Sequence, residues 1–201
     1  MGANEVTVGQ YKAFVAVSGY KPRSVRKNGI DLKDFWKGMK PQSPTNKHPV
    51  INLTWGDVVT YAKWAGKRLP TEAKWEYAAR GGLEGKRYPW GDDRGLADLH
   101  ANSFNNRKWR FCAPVGSLEA NGYGLFDLIG NVHEWCADWY HADYYKESPV
   151  KNPPGARVGT ERVSRGGCSW IDQVGGVANR WSHSPLQSFP FVGFRCVADV
   201  N

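Results

Sequence analysis

At 201 residues, with 27 basic and 19 acidic side chains, the chain is long enough to bury a core and carries a formal charge of +8. No stretch reaches the roughly 18 to 20 apolar residues of a membrane span, and the first residues show no charged-then-apolar leader pattern. The positive side chains are scattered and no standard nucleic-acid motif is present, so the charge is read as serving solubility and no nucleic-acid partner is expected.

Three helices are predicted from their caps. At Val6-Thr-Val-Gly-Gln10-Tyr11, Thr7 is placed to accept from a first-turn amide while Gln10 reaches back, and Val6 to staple onto Tyr11. Tyr11, Phe14 and Val15 then share one face. From Tyr20 to Pro49 the chain is polar, basic and punctuated by Pro22, Pro41 and Pro44, which reads as a long surface excursion. The second helix is capped by Thr54, with Asp57 in its first turn and Leu53 stapled to Val58, and runs through Tyr61, Ala62 and Ala65 to Gly66. The third is capped by Thr71, turns Trp75 and Ala78 or Ala79 inward, and stops at Gly81-Gly82. Lys74 stands where a capping-box glutamate would be ideal.

Beyond Gly82 the chain is mostly loop, with turn signals at Pro89-Trp-Gly-Asp92, Asn121-Gly122 and Pro153-Pro-Gly155. Short strands are expected at 162–165, at 192–198 and around 177–181. Ten Trp, nine Tyr and eight Phe beside 23 Gly and 12 Pro describe loops pinned by aromatic anchors. No repeat or linker divides residues 1–201, so one domain is read. Cys112, Cys136, Cys168 and Cys196 are too few and too irregularly spaced for a disulfide framework or a CxxC zinc site. Each is read as a small buried residue; a single disulfide, and the redox compartment, stay open.

Six motifs in order carry a resemblance. They are His48-Pro-Val-Ile-Asn-Leu-Thr-Trp55, the run from Gly66-Lys-Arg-Leu-Pro-Thr71 to Gly82, Tyr88-Pro-Trp-Gly-Asp92, Gly122-Tyr-Gly-Leu-Phe-Asp127 continuing to Trp135, Arg165-Gly-Gly167, and Gly193-Phe-Arg195. Together they resemble the sulfatase-modifying-factor family, the domain of the formylglycine-generating enzyme. The resemblance implies an α+β, C-type-lectin-like fold: two to three helices around short twisted antiparallel sheets, rich in ordered loop. The chain departs from the family at its start, entering directly at Glu5-Val-Thr7. Taken alone, Arg165-Gly-Gly and Gly193-Phe-Arg read most simply as turn and packing devices.

A hard cation takes six to eight oxygens, and Asp127 and Glu134 flank the tight Gly130-Asn-Val132 turn that offers carbonyls. In the enzymes this chain resembles, the matching positions bind calcium through Asp127, the carbonyls of Gly130 and Val132, and Glu134. A structural Ca²⁺ is therefore expected, against the alternative that both carboxylates cap local amides or pair with a buried arginine. A second family calcium site maps onto Asn102 and Ser103, but its acidic loop is shortened here to Asn105-Asn-Arg-Lys-Trp-Arg110, and no metal is expected there.

The family's oxidase holds copper(I) on two cysteines, a soft ion on soft ligands. Counted from Arg-Gly-Gly, those positions fall on Ile171 and Gly176, or on Asp172 and Val177, and neither register supplies a thiol. No copper is expected. His48, His100, His133, His141 and His183 show no paired ligand spacing, and no nucleophile elbow, phosphate loop or catalytic triad is visible.

The segment 171–191 has neither helix nor strand period, and its aromatic and small polar mixture on a rigid frame is that of a paratope. It also resembles the variable proteins of diversity-generating retroelements, in which the same two arginine motifs frame a diversified segment. Ile171, Asp172, Gln173, Trp181, His183, Leu186, Gln187, Phe189 and Phe191 are the candidate ligand-binding residues, with a protein or glycan on a partner surface as ligand. The expectation is a non-catalytic binding or display protein. The alternative is a formylglycine-generating-type oxidoreductase or its inactive accessory paralogue.

Overall fold

The computed structural model describes residues 1–106, 108–170 and 175–199. Among the described residues, seven α-helices and the four strands of one sheet follow in chain order: α1 Val8–Ser18, α2 Arg23–Asn28, α3 Leu32–Met39, α4 Trp55–Trp64, α5 Glu72–Arg80, α6 Ala97–His100, β1 His133–Trp139, α7 Tyr144–Glu147, β2 Arg162–Arg165, β3 Trp181–His183 and β4 Val192–Gly193. Among the described residues no helix is long and apolar enough to cross a membrane.

The three predicted helices begin at the predicted caps. Thr7 and Gln10 close a capping box on α1, and Thr54 and Asp57 close another on α4. At α5 the Thr71 hydroxyl accepts from the Lys74 amide with no return bond, as lysine at that position dictates. Gly19 and Gly81 end α1 and α5 in the left-handed conformation that glycine adopts without a steric penalty.

The surface excursion predicted for residues 20–49 is corrected. It contains α2 and α3, and Val25, Phe35 and Met39 pack into the core. Asp31 caps α3 by accepting from the Lys33 amide at 2.6 Å, and Leu32, Phe35, Trp36 and Met39 recur at helical spacing.

The sheet order is β3-β2-β1-β4. β1 pairs antiparallel with β2, Glu134 opposite Arg165, and parallel with β4, His133 opposite Val192. The sheet is therefore mixed rather than purely antiparallel. Strand β2 lies at its predicted bounds, β4 covers only the first two residues of the predicted 192–198, and β3 starts where the predicted 177–181 strand ends.

Two apolar clusters flank this sheet. One joins α1, α3 and α4 to Trp135, Val192 and Phe194; the other joins Trp75 and Ala79 of α5 to Tyr88, Leu128, Ile129, Cys136 and Val163. Trp75 and Trp135 are fully buried. At roughly 25 cal/mol per Å² of apolar surface, each contributes several kcal/mol.

Candidate binding surface

The two arginine motifs build the frame. Arg165, on β2 and inaccessible to solvent, donates to Glu72 at 2.8 Å and Glu76 at 2.6 Å, and also to the Val177 carbonyl. Glu72 is in turn gripped by Arg180 through two bonds of 2.7 and 2.9 Å, and the Arg180 guanidinium lies over Tyr140 and Tyr145. Glu72 and Glu76 lie four residues apart on one face of α5 and hold both Arg165 and the chain that returns from 175 to 180. Arg195 pairs with Glu134 through two bonds of 2.7 Å and donates to the carbonyls of Ala3 and Phe126. Bidentate pairing of this kind fixes orientation as well as charge. The motifs are thus ion-pair anchors as well as packing devices. A Cβ on Gly193 would stand 2.9 Å from both Val132 and the Val50 carbonyl, so glycine is needed there for close approach.

On this frame sit the candidate ligand-binding residues. Trp181 and His183 lie on β3, and Leu186, Gln187, Phe189 and Phe191 on the loop leading to β4. Ile171, Asp172 and Gln173 lie outside the described residues. The aromatics form a half-buried platform: His183 lies 4.8 Å from Phe189, Phe189 5.5 Å from Phe191, Phe191 5.7 Å from Trp170, and Trp181 4.8 Å from His133. Backbone bonds from Asn52 to the Phe189 carbonyl and from His133 to the Phe191 carbonyl fix the loop. Burial, reinforced by His183, lowers the His133 pKa to about 3, and burial also lowers that of His183, which favours the neutral form of each ring. Leu186, 62% exposed, and Gln187 stand out from the platform.

Asp127, Gly130, Val132 and Glu134 are all buried, and Asp127 adopts a left-handed backbone, φ 58°. The Glu134 carboxylate is engaged by Arg195 and by the Trp75 indole N–H at 2.8 Å. One Asp127 oxygen accepts from the Gly116 amide at 2.7 Å; the other is buried without a partner. Burial raises the Asp127 pKa to about 6, and raises that of Glu5 well above the usual carboxylate range, with Asp127 and Glu134 adding to the effect. Three buried carboxylates thus face the single guanidinium of Arg195. Among the described residues no three His, Cys, Asp or Glu side chains converge on a metal position. At the second mapped site, Asn102 Oδ1 and Ser103 Oγ are buried without partners. Glu5, Glu72 and Glu76 are carboxylates of the buried frame that the motif reading did not single out. The signal was the i, i+4 pair of glutamates on α5, set against arginines in glycine-tight motifs.

All four cysteines are buried, and none is in a disulfide. Burial raises the Cys112, Cys136 and Cys196 thiols, the last to about 11, away from the reactive thiolate range. Of the positions where a thiol pair was sought, Val177 is a core residue, and a Cβ on Gly176 would stand 2.9 Å from the Arg87 carbonyl. Ile171 and Asp172 lie outside the described residues.

Known proteins are similar to this chain in sequence and in fold. A formylglycine-generating enzyme of Streptomyces coelicolor is 45% identical over 170 residues, covering 77% of this chain and 54% of that protein. One from Thermomonospora curvata is 41% identical over 191 residues, covering 82% and 61%. The chain therefore spans between half and two thirds of these relatives. The serine/threonine-protein kinase pkn1 of Chlamydia caviae is 43% identical over 159 residues, 77% of this chain but 25% of the kinase. Among solved structures, PvdO from Pseudomonas aeruginosa superposes with a TM-score of 0.78 at 25% identity, covering 96% of this chain and 77% of that one. Treponema denticola variable protein 1 shares the fold, with a TM-score of 0.72 at 24% identity over 94% and 80%. With residues 1–200 matching the family described as sulfatase-modifying factor enzyme 1-like domain, and its arginine motifs forming the buried frame, this chain belongs to that family.

Proposed function

We propose that this chain is a non-catalytic member of its family, a binding module whose ligand surface is the platform from Trp181 to Phe191. The observation that carries this reading is the packing at Gly176: its backbone lies against the Arg87 carbonyl where one register requires a thiol, and the four cysteines are buried elsewhere. The rigid aromatic platform with a protruding Leu186 supplies a pre-organised contact surface. The chlamydial kinase adds an example of this domain matching a quarter of a longer chain. A diversified surface of the retroelement type predicts a near-copy of codons 165–196, differing mainly at adenines, beside a reverse transcriptase gene.

A second reading rests on the 41 to 45% identity to formylglycine-generating enzymes, which favours oxidation of a substrate cysteine. Oxygen uptake with copper(I) and a cysteine-containing sulfatase peptide separates the two. No uptake above the copper-only background is expected, and turnover at the rate of an active relative overturns the proposal.

Structural calcium belongs to the same reading. The donor set fits through Asp127, whose free buried oxygen lacks a partner, and through the carbonyls of Gly130 and Val132. Glu134 contributes charge rather than a free ligand, because Arg195 and Trp75 hold both its oxygens. A bound cation would offset the excess of buried negative charge.

A further inference from the structure

Beside the aromatic platform, two hollows of about 430 and 490 Å³ share Arg23, Thr54 and Leu186 and form one groove between α2 and the 185–189 loop. Four cations line it: Arg23, Arg26, Lys27 and Arg162. Among the described residues no acidic side chain lines either hollow. The carboxylate beneath, Asp57, is buried and already accepts from Tyr20, the Arg23 amide and Thr54. Arg26 reaches it only at 3.9 Å, with 54% of its side chain exposed.

Arg162 is held rather than mobile. Its guanidinium lies 3.8 Å from the ring centre of Trp55 and 3.5 Å from that of Trp139, and it donates to the Ala137 carbonyl at 2.6 Å. Its Nε is buried without a partner. A guanidinium fixed between two indoles loses little freedom on meeting an anion, and the site is positive before any ligand arrives. Trp55, Pro185, Leu186 and Phe189 supply the apolar part of the wall, and the hydroxyl and amide side chains of Ser24, Asn28, Thr54, Thr60, Gln187 and Ser188 line the rest.

We propose that this groove takes an acidic peptide segment of a partner protein. Carboxylates would lie against Arg23, Arg26 and Lys27, and an apolar side chain against Leu186. The inference names the ligand class of the surface proposed above, and so rests on that reading. A peptide fits better than a nucleic acid, because both tryptophans already have a face against Arg162 and the exposed protrusion is aliphatic. Charge complementarity across such a groove acts mainly on encounter rate and selectivity, while the apolar contact adds residence time.

The probe is a fluorescent decapeptide of alternating Glu and Leu, with its Lys-for-Glu counterpart and an oligothymidylate as comparators. Anisotropy is expected to show binding of the acidic peptide alone, weakened about tenfold or more between about 50 and about 300 mM salt. The double variant Arg26→Glu with Lys27→Glu, both exposed, should weaken it at least about tenfold, with an unchanged circular dichroism spectrum. Leu186→Ala should weaken it a few fold with the salt dependence retained. No binding of the acidic peptide up to about 1 mM, equal binding of the basic peptide, tighter binding of the oligonucleotide, or indifference to the charge reversal overturns the inference. Oxygen uptake in the copper assay sinks the non-catalytic reading instead, so the two failures are told apart.

Discussion

Asp138 shows how much one buried side chain carries. Its carboxylate accepts from the Glu72 amide at 2.7 Å, tying β1 to the start of α5, and Gly155 packs so closely that a Cβ there would collide with it. Burial raises its pKa from 3.8 to about 6. A carboxyl raised on folding binds its proton more tightly in the folded state, so its contribution is fully present below about pH 4 and is lost as pH rises through about 6. That loss amounts to about 3 kcal/mol on the ordinary conversion. Asp138→Asn keeps the accepting oxygen and removes the titration. In urea titrations from pH 4 to 7, the variant should gain stability relative to the parent as pH rises, and parallel curves would refute the assignment. Sequence reading gives such a residue no distinction, because its environment is made by segments far apart in the chain.

At the scale of elements, caps and glycines were legible and strand β1 was not. Thr7, Thr54 and Thr71 each mark a helix start because the bond they make is local, within three residues. The run from His133 to Trp139 shows no clean alternation because it is buried on both faces, with both of its carboxylates paired internally: Glu134 with Arg195, Asp138 with the Glu72 amide. Helix α3 was hidden by the lysines and prolines around it, although its apolar spacing was present. Asp57 links two elements, capping α4 while accepting from Tyr20 at 2.7 Å and the Arg23 amide at 2.9 Å. Thr54→Ala should cost about 1 to 2 kcal/mol. Asp57→Ala should cost about 1 to 3 kcal/mol more, since it strands several donors at once. Urea midpoints at constant m-value measure both, and equal losses would confine Asp57 to the local cap.

For the whole molecule, the two apolar clusters meet across a sheet crossed by the Arg165–Glu72 and Arg195–Glu134 pairs. Pairs this deeply buried specify geometry more than they stabilise, because desolvation offsets most of their attraction. With Glu5, Asp127 and Glu134 against one Arg195, the calcium proposed above would offset buried negative charge. Calcium in excess should raise the melting temperature by several degrees over the chelator-treated protein, as for any ligand that binds only the folded state. Asp127→Ala should abolish that gain, and a gain that survives the substitution would place the ion elsewhere.

The sequence by itself determined the family, the three capped helices, strand β2 and the absence of a thiol at either register position, since each depends on residue identity at fixed short spacing. Only the tertiary structure decided that the motif arginines are buried ion-pair anchors, that Glu134 is bound to Arg195, and that the aromatics of the 181–191 segment close into a platform beside a basic groove. The physical reason is distance along the chain: Glu72 meets Arg165 and Arg180 across some hundred residues, and no local pattern encodes such a meeting.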